Sequence, residues 1–256
     1  GKKDKACTRL NGTYDDIKQK IPQNQILDYD IEYTKLKFPI FGFIKIGLKF
    51  TNGYNAIYMQ KYTKLFVDRC YFTGNRNPAM HYSGVCINNE SSEEGRQNRK
   101  FFITTVKNSY FYTKNNGGSS SLVMAWADYC TFQNNTVEVE GNVGNLIYLT
   151  TFNVDVPAGV VANQHNTIVD NTVRRLDGQS AAICWGIVIG GPNNLIKNNT
   201  IYYAGGTGIT AQMGSSFDGN VYEGNTLYNA AMSAMPNSIV KDNYVEGASL
   251  TVAAGG

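Results

Sequence analysis

The sequence has no apolar run of about 18 residues, the length a membrane-spanning helix needs, and it has no signal-peptide pattern. It also has no cluster of basic residues interleaved with aromatic ones. Its 23 Lys and Arg nearly balance its 20 Asp and Glu, which leaves a net charge of +3. These absences argue against membrane insertion and against a nucleic-acid partner.

The five cysteines form no CxxC pair and no spacing typical of a metal site. Cys70, Cys86, Cys130 and Cys184 lie in or beside apolar strand-like runs, and Cys7 lies near the start of the sequence. We interpret the first four as small buried hydrophobic side chains rather than disulfide partners, which is compatible with synthesis in a reducing cytosol. We expect neither a metal ion nor a cofactor.

A short motif, seen most clearly in Asn193–Ile201, recurs along most of the chain. Aligned copies place one residue of each copy at an equivalent position, at uneven intervals of about 20 to 40 residues. The equivalent residues are Cys70, Ser109, Asn135, Asn171, Asn199, Asn225 and Asn243. Repeats of this size indicate stacked units, none of which can bury its apolar side alone.

Within each copy, apolar residues alternate around a short polar turn, which predicts strand–turn–strand. A second apolar run precedes most copies, as at 146–149 and 186–189, so we predict three short strands per rung. The recurring asparagines, at 135, 171, 199, 225 and 243, have donors and an acceptor that could bond the same amide one rung away, about 4.8 Å distant. The alternative is that they only favour turns.

The repeat and its Asn-containing turn resemble the right-handed parallel β-helix of the pectin-lyase-like superfamily, over roughly residues 38–252. The resemblance implies an all-β solenoid. We assign residues 1–37 to a short N-terminal capping segment, with a helix at 13–21, and residues 38–256 to the β-helix domain. The last residues form no polar cap, so we expect the natural chain to continue or another subunit to cover this end, as in a homotrimer.

In that superfamily, ligands generally lie across the outward face of one sheet. Alternation predicts an outward stripe there, with Val123 and Ala125 inward and Met124 outward. The predicted stripe contains Tyr58, Asn88, Trp126, Tyr148 and Gln212. Exposed aromatic rings beside amide and hydroxyl groups suit a sugar-binding groove. The alternative is that Trp126 belongs to the core.

Glycoside hydrolysis needs two carboxyl groups, one acting as acid and the other as nucleophile or base. Asp128 follows Trp126, and Asp155 follows Tyr148 one rung later, so both acids could flank one groove. Glu90 and Glu93, in an insert one rung earlier, are reserve candidates. The alternative for each Asp is a turn-forming role.

A polysaccharide lyase would need a base and a group that neutralises a uronate carboxylate. His81, which could also bind substrate, lies close in sequence to Arg96, Arg99 and Lys100, and His165 is the only other histidine. The Asn-Thr-Asp and Gly-His-Gly motifs of polygalacturonases and the Trp-Ile-Asp-His motif of pectate lyases are absent. These absences disfavour plant-polysaccharide enzymes.

The remaining resemblance is to a bacteriophage tailspike or tail appendage. It implies that the partner is a carbohydrate, namely a bacterial capsule, O-antigen or teichoic acid, and that the protein is part of a virion tail or extracellular. We expect a depolymerase of the hydrolase type. A non-catalytic receptor-binding or structural module is the alternative, and a lyase is the second alternative.

Overall fold

The computed structural model describes residues 27–30, 35–36, 43–51, 57–59, 65–75, 87–89, 104–125, 128–150, 161, 163–176, 184–203, 211–215 and 217–253. This part of the chain consists of strands joined by turns. No helix long and apolar enough to cross a bilayer occurs among the described residues.

The strands follow one another in 24 segments. The first twelve are β1 (Leu27–Asp30), β2 (Lys35–Leu36), β3 (Phe43–Ile46), β4 (Leu48–Thr51), β5 (Ile57–Met59), β6 (Leu65–Asp68), β7 (Tyr71–Asn75), β8 (Ile87–Asn89), β9 (Thr104–Lys107), β10 (Tyr110–Ala125), β11 (Thr131–Gln133) and β12 (Thr136–Thr150). The others are β13 (Thr167–Val169), β14 (Thr172–Arg175), β15 (Cys184–Ile189), β16 (Leu195–Lys197), β17 (Thr200–Tyr203), β18 (Ala211–Ser215), β19 (Val221–Glu223), β20 (Thr226–Tyr228), β21 (Ala230–Ala234), β22 (Ile239–Lys241), β23 (Tyr244–Glu246) and β24 (Leu250–Val252).

Every strand pairing is parallel, and partners come from successive turns of the coil. Sheet 1 has the order β1-β4-β7-β10-β12-β14-β17-β20-β23. Sheet 2 runs β2-β5-β8, continues through the later halves of β10 and β12, and then runs β15-β18-β21-β24. Sheet 3 contains β3, β6, β9, β11, β13, β16, β19 and β22. Each rung therefore contributes one strand segment to each sheet, which confirms the predicted all-β parallel β-helix.

Two rungs differ from the predicted pattern of three short strands. In β10 and β12, one continuous strand of 16 and 15 residues runs through sheet 1 into sheet 2. The register between these two strands shifts between Asn115 and Ser119 and again before Ser120, where β10 passes from sheet 1 into sheet 2. At the other end of the sheets, β1 and β2 pair with β4 and β5. Strand pairing thus extends into the segment assigned to the N-terminal cap, whereas the helix predicted at 13–21 lies outside the described residues.

The core is a column of side chains stacked along the coil axis, because alternate residues of each strand face inward at the same register. In sheet 1 the inward row holds Phe72, Phe111 and Val137, all fully buried. The rings of Phe72 and Phe111 lie 4.6 Å apart and nearly parallel. Sheet 3 supplies Phe132 and its register partners in the same way. Burial of each such side chain stabilises the fold by about 2 kcal/mol.

The predicted asparagine ladder is present in the turn between sheets 3 and 1. Asn171 Oδ1 accepts the Asn135 backbone N–H and the Asn135 Nδ2–H, each at 3.0 Å. Asn171 Nδ2 donates to Phe132 O at 2.9 Å and to Asn199 Oδ1 at 2.9 Å. The pattern repeats through Asn225 to Asn243. The ladder therefore satisfies amide groups that would otherwise be buried without partners.

Ser109 and Cys70 continue this ladder towards the start of the chain. The Ser109 N–H donates to Asn135 Oδ1 at 3.0 Å, and the Cys70 N–H donates to Ser109 Oγ at 3.1 Å. Cys70 and Cys130 are buried thiols outside any disulfide, as predicted, and burial raises the pKa of the Cys130 thiol to about 12. Cys184 begins β15, and Cys7 and Cys86 lie outside the described residues.

A second ladder, which the sequence analysis did not predict, lies in the turn between sheets 2 and 3. The Cys130 N–H donates to Asn166 Oδ1 at 2.8 Å, the Asn166 N–H to Asn194 Oδ1 at 2.8 Å, and the Asn194 N–H to Asn220 Oδ1 at 2.9 Å. These three asparagines are buried. The two ladders hold two corners of the coil in register.

Candidate functional site

One row of sheet 2 collects three of the predicted binding residues. Tyr58 pairs with Asn88, Asn88 with Val123, and Val123 with Tyr148. The row continues from Tyr148 to Val188. Because parallel partners at one register share a face of the sheet, Tyr58, Asn88 and Tyr148 occupy equivalent positions on three of four successive rungs, and Val123 occupies that position on the other.

Of the predicted binding residues in this row, Tyr148 is the one whose side chain the structure describes. It is partly exposed, whereas its neighbours Ile147 and Leu149 are fully buried. This alternation confirms the predicted phase of the strand, with Ile147 and Leu149 inward. Gln212 lies in β18, where it pairs with Trp185 and Ala231. The row itself continues from Val188 to Gly214, so Gln212 precedes the row position of β18 by two residues.

The register of the 122–126 run differs from the prediction. Val123 occupies the row of Tyr148, while Met124 pairs with Leu149 of the buried row. The prediction had Val123 inward and Met124 outward. The error arises because consecutive apolar residues carry no alternation, so pairing of Leu122 with Ile147 decides the phase instead.

Asp128 lies in the turn that follows β10, and its carboxyl group is buried. Its Oδ1 accepts the backbone N–H of Gln164 from the next rung at 2.8 Å. Burial raises the pKa of this carboxyl, and the backbone hydrogen bonds from Gln164 and Asn163 and the nearby His165 partly oppose that shift. The carboxyl thus braces the turn and also favours a protonated form more than an exposed aspartate does.

An aromatic pair lies beside Asp128 in the same turns. The rings of Tyr129 and His165 lie 5.0 Å apart at an interplanar angle of 19°. Both side chains are exposed, Tyr129 by 52%. From the sequence, His165 is noted only as the second histidine, and Tyr129 is not identified as a site residue. Alignment of Asp128–Cys130 with Gln164–Asn166 could have revealed the pair, because both triplets precede a Thr that begins a strand of sheet 3.

The backbone of this pair has an unusual conformation. Tyr129 has φ 55° and His165 has φ 57°, in the left-handed region. The equivalent turn residues of the later rungs are Asn193, Gly219 and Asn237, also with positive φ. Asn, Gly and to a lesser degree His tolerate this region, whereas a bulky side chain such as that of Tyr129 does so at a cost of about 1–2 kcal/mol. Tyr129 therefore occupies a position that the backbone alone would assign to Asn or Gly.

The other predicted site residues lie outside the described residues. They are Trp126, Asp155, Glu90, Glu93 and His81, together with the lyase candidates Arg96, Arg99 and Lys100. Among the residues that the structure describes, no group of three or more His, Cys, Asp or Glu side chains is placed to hold a metal ion.

The described part therefore offers a register row that contains Tyr58, Asn88 and the partly exposed Tyr148, a buried carboxyl and an exposed aromatic pair. These features lie on sheet 2 and at the carboxyl ends of its strands. Comparison of the chain with models of protein families, with curated proteins and with solved structures found no match.

Proposed function

We propose that the protein binds a polysaccharide along the outward face of sheet 2. The observation that carries this proposal is the single register row that contains Tyr58, Asn88 and Tyr148. Three strand spacings separate Tyr58 from Tyr148, a distance of about 14 Å. That span suits an extended chain ligand that runs along the coil axis better than a single small molecule.

The residue types of the row match the two kinds of surface that a sugar presents. The C–H face of a pyranose packs on an aromatic ring such as that of Tyr148, which remains partly exposed. Amide and phenol groups, as in Asn88 and Tyr58, donate and accept hydrogen bonds with hydroxyl groups. A mixed surface of this kind suits the sugar units of a glycan, which present both a C–H face and hydroxyl groups.

The substrate class within this proposal is a bacterial surface polysaccharide, such as a capsule, O-antigen or teichoic acid. The support is the parallel β-helix fold together with the resemblance to phage tailspikes and the missing motifs of plant-polysaccharide enzymes. Assembly as a homotrimer on a virion tail or another extracellular structure belongs to the same proposal.

Cleavage of the bound glycan is the second element of the proposal, with Asp128 and Asp155 as the two carboxyl groups. Burial raises the pKa of Asp128, which is the property that a general acid needs near neutral pH. In this mechanism Asp128 gives its proton to the glycosidic oxygen as the C–O bond breaks. Asp155 then attacks the anomeric carbon or takes a proton from the attacking water.

A non-catalytic binding module is the competing function, and one observation favours it. The Asp128 carboxyl is buried and accepts a backbone N–H from Gln164, so it has a structural role that requires no substrate. Such a module would retain the glycan on the same row and leave its bonds intact.

The test is a panel of purified bacterial surface polysaccharides, scored both for retention by the protein and for new reducing ends. The proposal expects retention of at least one glycan and a loss of about tenfold in affinity for Tyr148→Ala. Tyr202→Ala is the matched control, because Tyr202 is 46% exposed on sheet 1. Equal losses for the two variants, or no retention by the wild type, would overturn the proposal.

The same panel separates cleavage from binding. Hydrolysis predicts that Asp128→Asn and Asp155→Asn each abolish the release of reducing ends and leave retention within about twofold. Asp170→Asn, an exposed turn residue on sheet 3's side of the coil, is the control that leaves both readouts unchanged. Retention without new reducing ends from the wild type would assign the binding module.

A further inference from the structure

We propose that Tyr129 and His165 form an aromatic platform that binds one sugar ring of the same polysaccharide. This inference rests on the proposed function and adds a subsite to it. It is carried by the stacked, exposed ring pair and by the left-handed backbone beneath both residues.

The backbone supplies the first argument. At the equivalent position of later rungs the chain has Asn193, Gly219 and Asn237, residue types that adopt positive φ at low cost. Tyr129 adopts the same conformation at higher cost, whereas His165 belongs to a residue type that, like Asn, is enriched at positive φ. Strained residues persist where the surrounding structure fixes them, and they cluster at ligand-binding positions.

The rings supply the second argument. Their centroids lie 5.0 Å apart at 19°, so the two rings overlap face to face, and the parts of each ring that the other does not cover form one aromatic surface. Tyr129 is 52% exposed and His165 is also exposed, so this surface faces solvent instead of filling the core. An amphipathic aromatic surface of this kind fits the C–H face of a hexopyranose.

The position in the fold supplies the third argument. Tyr129 lies in the turn after β10, which contains Val123, and His165 precedes the sheet 3 strand of the rung after β12, which contains Tyr148. Val123 and Tyr148 are neighbours in the proposed binding row. Both rings therefore lie beyond the carboxyl ends of the two strands that carry the centre of that row.

Polar groups accompany the rings. Asn193, one rung further, is exposed, and Gln164, beside His165, is partly exposed. Their side-chain amides could bond the hydroxyl groups at the edge of a sugar whose face rests on the rings. The platform thus has the same mixture of ring and amide that the row has, and its ligand is a neutral hexopyranose unit.

A purely structural role makes the opposite prediction. If the stack only stabilises the turns, replacing both residues by Asn would lower stability, because the ring contact is lost. If the pair is kept for binding, the same replacement relieves backbone strain and lowers affinity. Stability and affinity then move in opposite directions.

The test uses the polysaccharide retained by the wild type and the variants Tyr129→Asn, His165→Asn and their combination. We expect the midpoint of chemical unfolding to rise in the double variant while the affinity falls about tenfold. Tyr129→Phe, which keeps the ring and the strain, should bind within about twofold of the wild type. Protection of His165 from diethyl pyrocarbonate by the glycan gives an independent readout in the unmodified chain.

A double variant with unchanged affinity and lower stability would overturn the platform. If Tyr148→Ala weakens binding while the double variant does not, the row is retained and the platform alone is excluded. If the wild type retains no polysaccharide, both proposals are excluded.

Discussion

Asn171 Oδ1 accepts two hydrogen bonds from the residue one rung earlier, the backbone N–H and the side-chain Nδ2–H of Asn135. Asn171 also donates from Nδ2 to Phe132 O and to Asn199 Oδ1. A single side chain thus meets the hydrogen-bonding needs of three rungs. The turn between sheets 3 and 1 therefore has a structural role, because its hydrogen bonds hold successive rungs in register. We look for ligand-binding residues on the outward faces of the sheets instead.

Removal of that side chain should strongly destabilise the fold. Asn171→Ala leaves the Asn135 amide groups and Phe132 O buried without their partner, so we expect a loss of about 3 kcal/mol or more in the free energy of unfolding. Chemical denaturation monitored by circular dichroism measures it. Gln133→Ala, an exposed neighbour on β11, is the control and should change stability by less than about 0.5 kcal/mol.

Gly224 occupies the left-handed position of the ladder turn, which Asn or Asp residues such as Asn198 and Asp170 occupy in other rungs. Its φ is +64°, and a Cβ built there would lie 2.5 Å from Asn198 Oδ1. We expect Gly224→Ala to cost about 1–2 kcal/mol from the backbone conformation, plus the displacement of Asn198. In an Asn198→Gly background the second part disappears, so a double-mutant cycle should give a smaller penalty. Equal penalties in both backgrounds would contradict the close approach.

Glu223 should contribute to the dependence of stability on pH. Hydrogen bonds from Lys197 and Lys241, at 2.9 and 3.2 Å, lower the pKa of its carboxyl below the ordinary value. A lowered pKa in the folded state means that this stabilisation is present above the unfolded-state pKa and is lost as the pH falls through the folded-state pKa. Glu223→Gln should therefore flatten the acid limb of a plot of unfolding midpoint against pH.

The effect of Glu223 should be small and dependent on salt, because the carboxyl is partly exposed to solvent. Repeating the pH series at about 1 M salt should reduce the difference between Glu223→Gln and the wild type. An acid limb that is the same in the wild type and the variant at low salt would contradict this assignment.

The Asp128 carboxyl should change the dependence of stability on pH in the opposite direction to Glu223. Burial raises the pKa of its carboxyl, so the fold disfavours the charged form, and this cost is complete above the folded-state pKa and vanishes below the unfolded-state pKa. An amide at this position can still accept the Gln164 N–H. We therefore expect Asp128→Asn to unfold at a higher temperature than the wild type near pH 7, with no gain under strongly acidic conditions. A lower melting temperature for Asp128→Asn than for the wild type near pH 7 would contradict this prediction.

The fold could be predicted from the repeat because the same buried backbone groups need a hydrogen-bond partner at the same corner of each rung, and the same residue type supplies it. Asn135, Asn171 and Asn199 could be aligned from the sequence, since each precedes a strand that begins with Thr. The second ladder was missed although Asn194 and Asn220 lie in the same repeats. Only two later copies showed it clearly, whereas earlier rungs have inserts of different length before the same corner.

The candidate site was less accessible to prediction, for two physical reasons. The phase of the 122–125 run depends on cross-strand pairing of Leu122 with Ile87 and Ile147, which local alternation does not encode. The positive φ of Tyr129 was also hidden, because residue type predicts left-handed backbone for Gly, Asn, Asp and His rather than for Tyr. Both features are consequences of stacking between rungs.

The most direct test of glycan binding on sheet 2 is hydroxyl-radical footprinting of the wild type with and without a retained polysaccharide. It compares Tyr148, on sheet 2, with Tyr202, on sheet 1. If the glycan binds on sheet 2, we expect it to lower the oxidation rate of Tyr148 several-fold and to leave that of Tyr202 unchanged. Protection of Tyr202 with no change at Tyr148 would contradict it.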